Sequence, residues 1–444
     1  VSRAAALPVV AGDLDLQRLG REMHELAGAL FPICRSITGN GVRQTLDVLA
    51  RTLPLDRVEV PSGTRAFDWA VPREWNVRAA WVKGPDGRTV VDVADHNLHL
   101  VGYSVPFHGR VSRAELAAHL HSLPEHPQWI PFRTSYYAEQ WGFCVADDVK
   151  TGLAEGSYEV LVDTTLEDGS LTYAEHEIPG TSEDAVVISC HTCHPSMAND
   201  NLSAIVVAHR LARLLAGATL RHTYWFLFLP GTIGAVTWLA RNPGRLSRIR
   251  HGLVLACLGD SGCLTYKRSR REDAAIDRIA AHVVAHRGPH RVLPFDPFGN
   301  DERQYCSPGI DLPVGRLTRT PDRMFAEYHT SADDLTFITP QSLADSLAAL
   351  LEIVGVIEHD RSYRSTCPMG EPHLAGRRLQ WQIGGSMSPD ELSRAVAWTL
   401  NLSDGDHTLL DVAERASLPF RVIARAASLL VDASLLVPAA RDRS

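Results

Sequence analysis

With 444 residues, 45% of them hydrophobic and 22% charged, the chain is long enough for roughly two to four domains and can bury large cores without disulfide help. Its net charge of −8 argues against nucleic acid or an anionic membrane surface as the partner of the whole chain, because both demand a basic face. The purely apolar runs fall far short of the ~20 residues a membrane span needs, and eight irregularly spaced cysteines read as reduced core thiols, so a cytoplasmic protein is expected.

The start, VSRAAALPVVAGDLDL, has one early positive charge and a proline-broken apolar stretch, which reads as an ordered or frayed cytosolic beginning rather than a signal peptide. From 14 to 54, apolar residues at helical spacing predict two helices joined by the turn-like FPICRSITGNG. Residues 55–111 alternate β-branched and aromatic side chains between PSG, PDG and HGR turns, so a small β-rich insert is expected. Its aromatics Phe67, Trp69, Trp75 and Trp81 are read as core filling. Beyond a helix near 112–123, YEVLVDTTL and LTYAEHEIPG predict a hairpin.

The segments AVVISC, HTYWFLFLP and GLVLACLGD read as buried strands separated by helical stretches, the pattern of a mixed or parallel α/β sheet with helices on both faces. In such sheets ligands collect at the carboxyl ends of the strands. Further on come a helix in REDAAIDRIAAHVVAHRG, a Pro/Gly-rich loop, the polar AEYHTSADDL and a helix over 341–358, which close a body spanning 112–360. HDRSYRSTCPMGEPH is expected to be a linker, and three helical patterns within 374–440 predict a winged-helix-like module.

The stretch ISCHTCHPSMANDNLSA puts polar groups where a buried strand hands over to a helix. Unpaired buried groups there would each cost on the order of 1–3 kcal/mol. Metal coordination is one way to satisfy them: His191, His194 and Asp200 offer imidazole and carboxylate ligands of the kind zinc takes, with Asn199 and Asn201 as donors that orient the loop. A polar loop capping the next helix is the plain alternative. Cys190 and Cys193 form a CxxC without a second such pair, and are read as core thiols beside a site. His329, in EYHTSADDL, adds a second cluster with Glu327, Asp333 and Asp334.

AVVISCHTCHPSMANDNLSA resembles the metal loop of zinc aminopeptidases of the aminopeptidase Y and bacterial leucyl aminopeptidase type. DERQYCSPGIDLPVGRL followed by EYHTSADDL resembles the late part of the same fold. CRSITGNG, FDWAVPREWNV, YYAEQWGFC, PGTIGAVTWLARN and YHTSADDL extend the likeness, over roughly 20–440, to a bacterial aminopeptidase-like family. That resemblance implies an α/β, mixed-sheet zinc-peptidase (phosphorylase/hydrolase-like) body, begun by the 14–54 helices, with a small β-rich inserted domain and a C-terminal winged helix. It implies metal binding by His194 or His191, with His194 favoured, by Asp200 and by His329, and more weakly by Asp260.

One departure matters. Where the aminopeptidases place two adjacent glutamates, a general base and a metal ligand, this chain has Gly231 and Thr232. A single zinc is then expected, and the base needs a substitute. Glu302 and Glu327 are the candidates, with Asp301 as runner-up; each also reads as a loop carboxylate held by Arg303 or Arg323. Lys267, Arg268, Arg270 and Arg271 suggest either a clamp for an anionic substrate group or a solvated basic turn.

The leading expectation is a zinc-dependent amide or peptide hydrolase acting on a small molecule or short peptide, in biosynthetic or small-peptide metabolism. A peptidase-fold accessory protein that binds ligands without hydrolysis is the second reading. The third, a transcription regulator, finds only Arg421 and Arg425 in the candidate recognition segment. A capping or dimerisation role for the module, and hence a homo-oligomer, is also open.

Overall fold

The computed structural model describes residues 14–374, 377 and 391–439. The expected cytosolic start over 1–13, the first residues of the SPDELSRAVAWTLN helix and residue 440 lie outside the described residues.

The body is built on an eight-stranded mixed sheet. Its strands run in the order Asp56–Pro61, Ser170–Ile178, Thr223–Leu229, Ala185–His191, Ile249–Leu255, Val314–Thr318, Leu264–Lys267 and His290–Leu293. The four central strands, from Thr223–Leu229 to Val314–Thr318, are mutually parallel. Ala185–His191 and Thr223–Leu229 are buried along their whole length, which is why they read as continuous apolar runs rather than as alternations. Alternation still divides their side chains. Val186, Ile188 and Cys190 join one core, with the helices Leu16–Leu30, Ala204–Leu215 and Pro340–His359. Ala185 and Val187 join the other, with the β-rich module and the helix Ile233–Arg241. His191 shares the face of Val187, at the carboxyl end of the strand.

Pro340–His359 is long and apolar enough to cross a bilayer by composition, but it is the central core helix, started by a Thr339 cap and Pro340. It crosses Leu16–Leu30 at Gly20, where a Cβ would stand 2.2 Å from the Pro340 carbonyl oxygen.

Two expectations are corrected. The predicted hairpin does not form: Ser157–Glu167 pairs with Glu74–Lys83 and Phe107–Ser112, whereas Ser170–Ile178 enters the main sheet. Glu74 enforces this parting of the ways. Its carboxylate accepts from the Ser170 backbone at 2.9 Å, is held by both terminal nitrogens of Arg43 at 2.7 Å, and lies where a Cβ on Gly169 would stand. The β-rich insert therefore takes its fourth strand from beyond residue 111, and Asp56–Pro61 is an edge strand of the main sheet. The expected linker is likewise structured: Ser362–Ser365 is the middle strand of a small sheet with Asp404–Thr408 and Leu436–Pro438.

That sheet and the helices Glu391–Asn401, Leu409–Ala416 and Phe420–Asp432 make a winged helix. The module shares a continuous apolar core with the body. Arg278 pairs with Asp411 and Glu414, and the Phe420 N–H, at the start of the last helix, donates to His282 Nε2 at 3.1 Å.

Gly20→Ala forces two packed helices apart and is expected to lower the unfolding free energy by about 1–3 kcal/mol, measured by urea titration.

Candidate metal centre

The site forms where the loops after the parallel strands meet. Ala185–His191 delivers His191 and leads into the irregular 198–203 turn that carries Asp200. His191 Nε2 lies 2.9 Å from Asp200 Oδ1, and His329 Nε2 lies 3.1 Å from Oδ2. Ligand atoms of His191, His194 and Asp200 all fall within 4.8 Å of one another. His194 and His329 face each other at 5.2 Å between ring centroids. Both His191 and the favoured His194 thus reach the same carboxylate, and the residue 129 positions further on joins them.

Each member is held from behind. Asn201 Nδ2 reaches His191 Nδ1 at 3.2 Å, and its Oδ1 accepts from the Cys257 N–H. Asp333, from the same polar segment as His329, accepts the Asn199 and Asp200 N–H groups at 2.6 and 2.9 Å. Arg35 Nε donates to the His194 carbonyl oxygen at 2.9 Å. Phe132 packs against both His194 and His329, Tyr328 stacks on His329 at 3.9 Å, and the Phe132 N–H donates to the His329 carbonyl oxygen. Arg35, Phe132 and Tyr328 come from CRSITGNG, the segment before YYAEQWGFC, and EYHTSADDL. Their proximity to the site has no local sequence signal beyond those motifs.

The backbone around the cluster is unusual. Ser196, Thr232, Cys257 and His329 have φ of 41°, 58°, 48° and 59°. Left-handed conformations at non-glycine residues cost of order 1–3 kcal/mol each and gather where side chains must be aimed.

Electrostatics prepare the group for a cation. Burial alone would raise the Asp200 carboxyl, but the imidazoles of His194, His191 and His329 outweigh it and hold the group well below the usual carboxylate range. Burial pushes His194 down to about 3. Burial would also lower His191, yet its bond to Asp200 and the Asp200 charge raise it. An ionised carboxylate among imidazoles, converging from separate loops, is a donor set that fits zinc.

Other expected site residues are placed elsewhere. Asp260 is saturated by the Asn199 amide, the Gly262 N–H and the Thr320 hydroxyl and N–H; it orients Asn199 instead of joining the cluster. Glu302 is fully buried in an ion pair with Lys267 at 2.6 Å, so it is neither free to act as a base nor held by Arg303 or Arg323. Lys267 is consumed by that pair and by two loop carbonyls. Arg270 and Arg271 pair with exposed Asp311, and Arg268 donates to the Glu272 carbonyl, so no anion clamp is formed. No hydrogen bond ties the Glu327 carboxylate to the cluster among the described residues; its carbonyl accepts from Thr330.

Asp301, the runner-up, lies at the site. It is 2% exposed, its Oδ1 accepts the Thr232 N–H at 2.6 Å, and burial raises it to about 6. Gly231 faces His191 directly: a Cβ there would lie 3.6 Å from the His191 Cβ and 3.4 Å from Cys193 Sγ. Cys193 Sγ accepts from the Gly231 N–H at 3.2 Å, and burial pushes its thiol up to about 12, which suits a packing role.

Residues 24–360 match the model of a domain of unknown function, DUF4910, and 361–438 match a winged helix-turn-helix. A Clostridium acetobutylicum protein named for polysaccharide biosynthesis, with an aminopeptidase-like domain, is 45% identical over 418 residues, 94% of this chain and 96% of that protein. A crystal structure from the same organism, described as a peptidase, superposes with TM-score 0.90 at 44% identity, covering 96% of this chain and 97% of that one. The zinc aminopeptidase BSAP of Bacillus subtilis shares the fold of the body, with TM-score 0.56 at 13% identity over 78% of this chain and 95% of its own. The chain belongs to the DUF4910 family, whose aminopeptidase-like body here carries a C-terminal winged helix.

Proposed function

We propose that the protein is a zinc-dependent hydrolase of an amide or peptide bond in a small substrate, working in a biosynthetic setting. One observation carries this reading: His191, His194 and His329 converge on the buried carboxylate of Asp200. His191, His194, Asp200 and His329 would hold the ion. Bound there, zinc supplies Lewis acidity toward a substrate carbonyl and toward water.

The chain's own residues do the rest. Asn201 fixes the ring of His191, and Asp333 fixes the loop that aims Asp200. Phe132 and Tyr328 wall the imidazoles of His194 and His329 with apolar surface, which strengthens electrostatic interactions inside. The relative's link to polysaccharide biosynthesis supports a substrate drawn from that chemistry, such as an acylated amino sugar or a short peptide attached to one.

A second reading is favoured by Gly231 and Thr232: a protein that binds metal and ligand without hydrolysis. Zinc analysis of the purified protein, followed by a panel of aminoacyl anilides and N-acyl amino sugars, separates the two. Bound zinc with turnover supports the hydrolase, and bound zinc with binding alone supports the second reading. Protein that neither retains nor takes up zinc sinks both.

Replacing His194, Asp200 or His329 with alanine is expected to lower zinc affinity by at least tenfold, measured by competition with a chromogenic chelator. Asp333→Ala strips two buried N–H groups of their acceptor and is expected to cost about 2–5 kcal/mol of stability, measured by chemical denaturation, and to weaken zinc binding.

A further inference from the structure

Gly231 and Thr232 bring no carboxylate to the start of Ile233–Arg241, yet one reaches the same helix end from another part of the chain. Asp301 precedes the short helix Glu302–Tyr305, and its Oδ1 is fixed by the N–H of Thr232 at the start of Ile233–Arg241. Its other oxygen, Oδ2, is buried without a hydrogen-bond partner among the described residues.

Asp200 is met by two imidazoles, Asp260 by Asn199 and Thr320, and Asp333 by two backbone N–H groups. Glu302 also has a buried oxygen, Oε2, without a hydrogen-bond partner among the described residues, but its other oxygen is paired with Lys267. A buried carboxylate oxygen with no donor costs on the order of 1–3 kcal/mol, and such exceptions call for an explanation. Gly231, next to the Thr232 whose N–H holds Asp301, faces the cluster: a Cβ there would lie against His191 and Cys193.

We infer that Asp301 is the general base of this site, its Oδ2 taking a proton from the attacking water at the helix end marked by Gly231 and Thr232. In the step, a water O–H bond breaks and its proton moves to Oδ2, while the water oxygen bonds to the substrate carbonyl carbon and the carbonyl π pair moves onto the carbonyl oxygen. That pair then returns to re-form C=O as the C–N bond breaks and the proton passes from Asp301 to the leaving amine nitrogen, giving a carboxylic acid and an amine and returning Asp301 to its ionised form. No co-reactant beyond water is needed. The role depends on the metal-dependent hydrolase reading, and it moves the base from the helix that carries it in the aminopeptidases to a loop some 70 residues later.

Sterics allow a direct exchange. A Cβ on Gly231 would meet its neighbours at 3.4 Å or more, ordinary contact distance, and its φ is not in the left-handed region. The test compares wild type with Asp301→Asn, Asp301→Glu and the double variant Gly231→Glu with Asp301→Asn. Three readouts are used: zinc content, the visible spectrum of the cobalt-substituted protein against pH, and turnover of whichever amide in the panel the wild type cleaves. Asp301→Asn is expected to keep its zinc and to lose about 10²–10⁴-fold in kcat. Wild type is expected to show a pH-dependent cobalt spectrum that Asp301→Asn lacks, and wild-type kcat/KM should fall at acid pH, where Asp301 is protonated. The double variant should recover at least tenfold of the lost rate.

Three results overturn the assignment. One is loss of zinc from Asp301→Asn, which would make it a metal ligand. Another is an Asp301→Asn protein with wild-type turnover. The last is an unchanged cobalt pH profile, which decides the matter even when no panel substrate is cleaved. Wild type that binds neither zinc nor cobalt removes the hydrolase reading itself, and this inference with it.

Discussion

A carboxylate taken out of water must be compensated, and in this protein that requirement is concentrated at Asp200. Burying an isolated charge is prohibitively costly, so the group persists only because imidazoles from three places in the chain surround it. The neighbouring arrangements follow from this. Asn199 and Asn201 tie the loop to the strand beyond, Asp333 holds its backbone, and Asp260 holds Asn199. The strained conformations at Cys257 and His329 become intelligible as the local cost of aiming side chains and backbone groups at one point.

The sheet makes that convergence possible. Parallel strands present their carboxyl ends on one side, so His191, the turn before Ile233–Arg241 and the loop after Ile249–Leu255 are neighbours although far apart in sequence. The β-rich insert completes the wall, since the 130–132 segment bonds to the loop of His329 and lays Phe132 between two histidines. The insert thereby contributes to the immediate surroundings of the cluster instead of being an appendage.

Much of this was legible in the chain itself. The central strands announced themselves by length and apolarity, and the HTCHPSMANDN loop by the density of polar groups at a buried strand end. The failures have physical causes. Two alternating segments separated by a tight turn read as a hairpin whether or not they pair, and here strands distant in sequence take Ser157–Glu167 and Ser170–Ile178 into different sheets, with Arg43 and Glu74 at the junction. Ser362–Ser365 looked like a linker because a half-exposed strand in a small module has little apolar signal. Asp301 and Glu302 are adjacent carboxylates of nearly equal chemistry. Which one faces the site is set by the turn into Glu302–Tyr305 and by Lys267, a residue 35 positions earlier on another strand. Asp260 was misplaced for a similar reason: an aspartate just beyond a central strand invites a ligand role, and its hydroxyl and amide partners come from distant loops.

The docking of the winged helix has a mechanical consequence. In modules of this type the leading end of the last helix is the part that enters a nucleic-acid groove. Here that end abuts His282, and the apolar faces behind it are continuous with the body. Exposing it would mean prising open a shared interior along with the Arg278 bridges. The module is thus fixed against Ala275–Ala285 and Pro340–His359, with its last helix packed on the body.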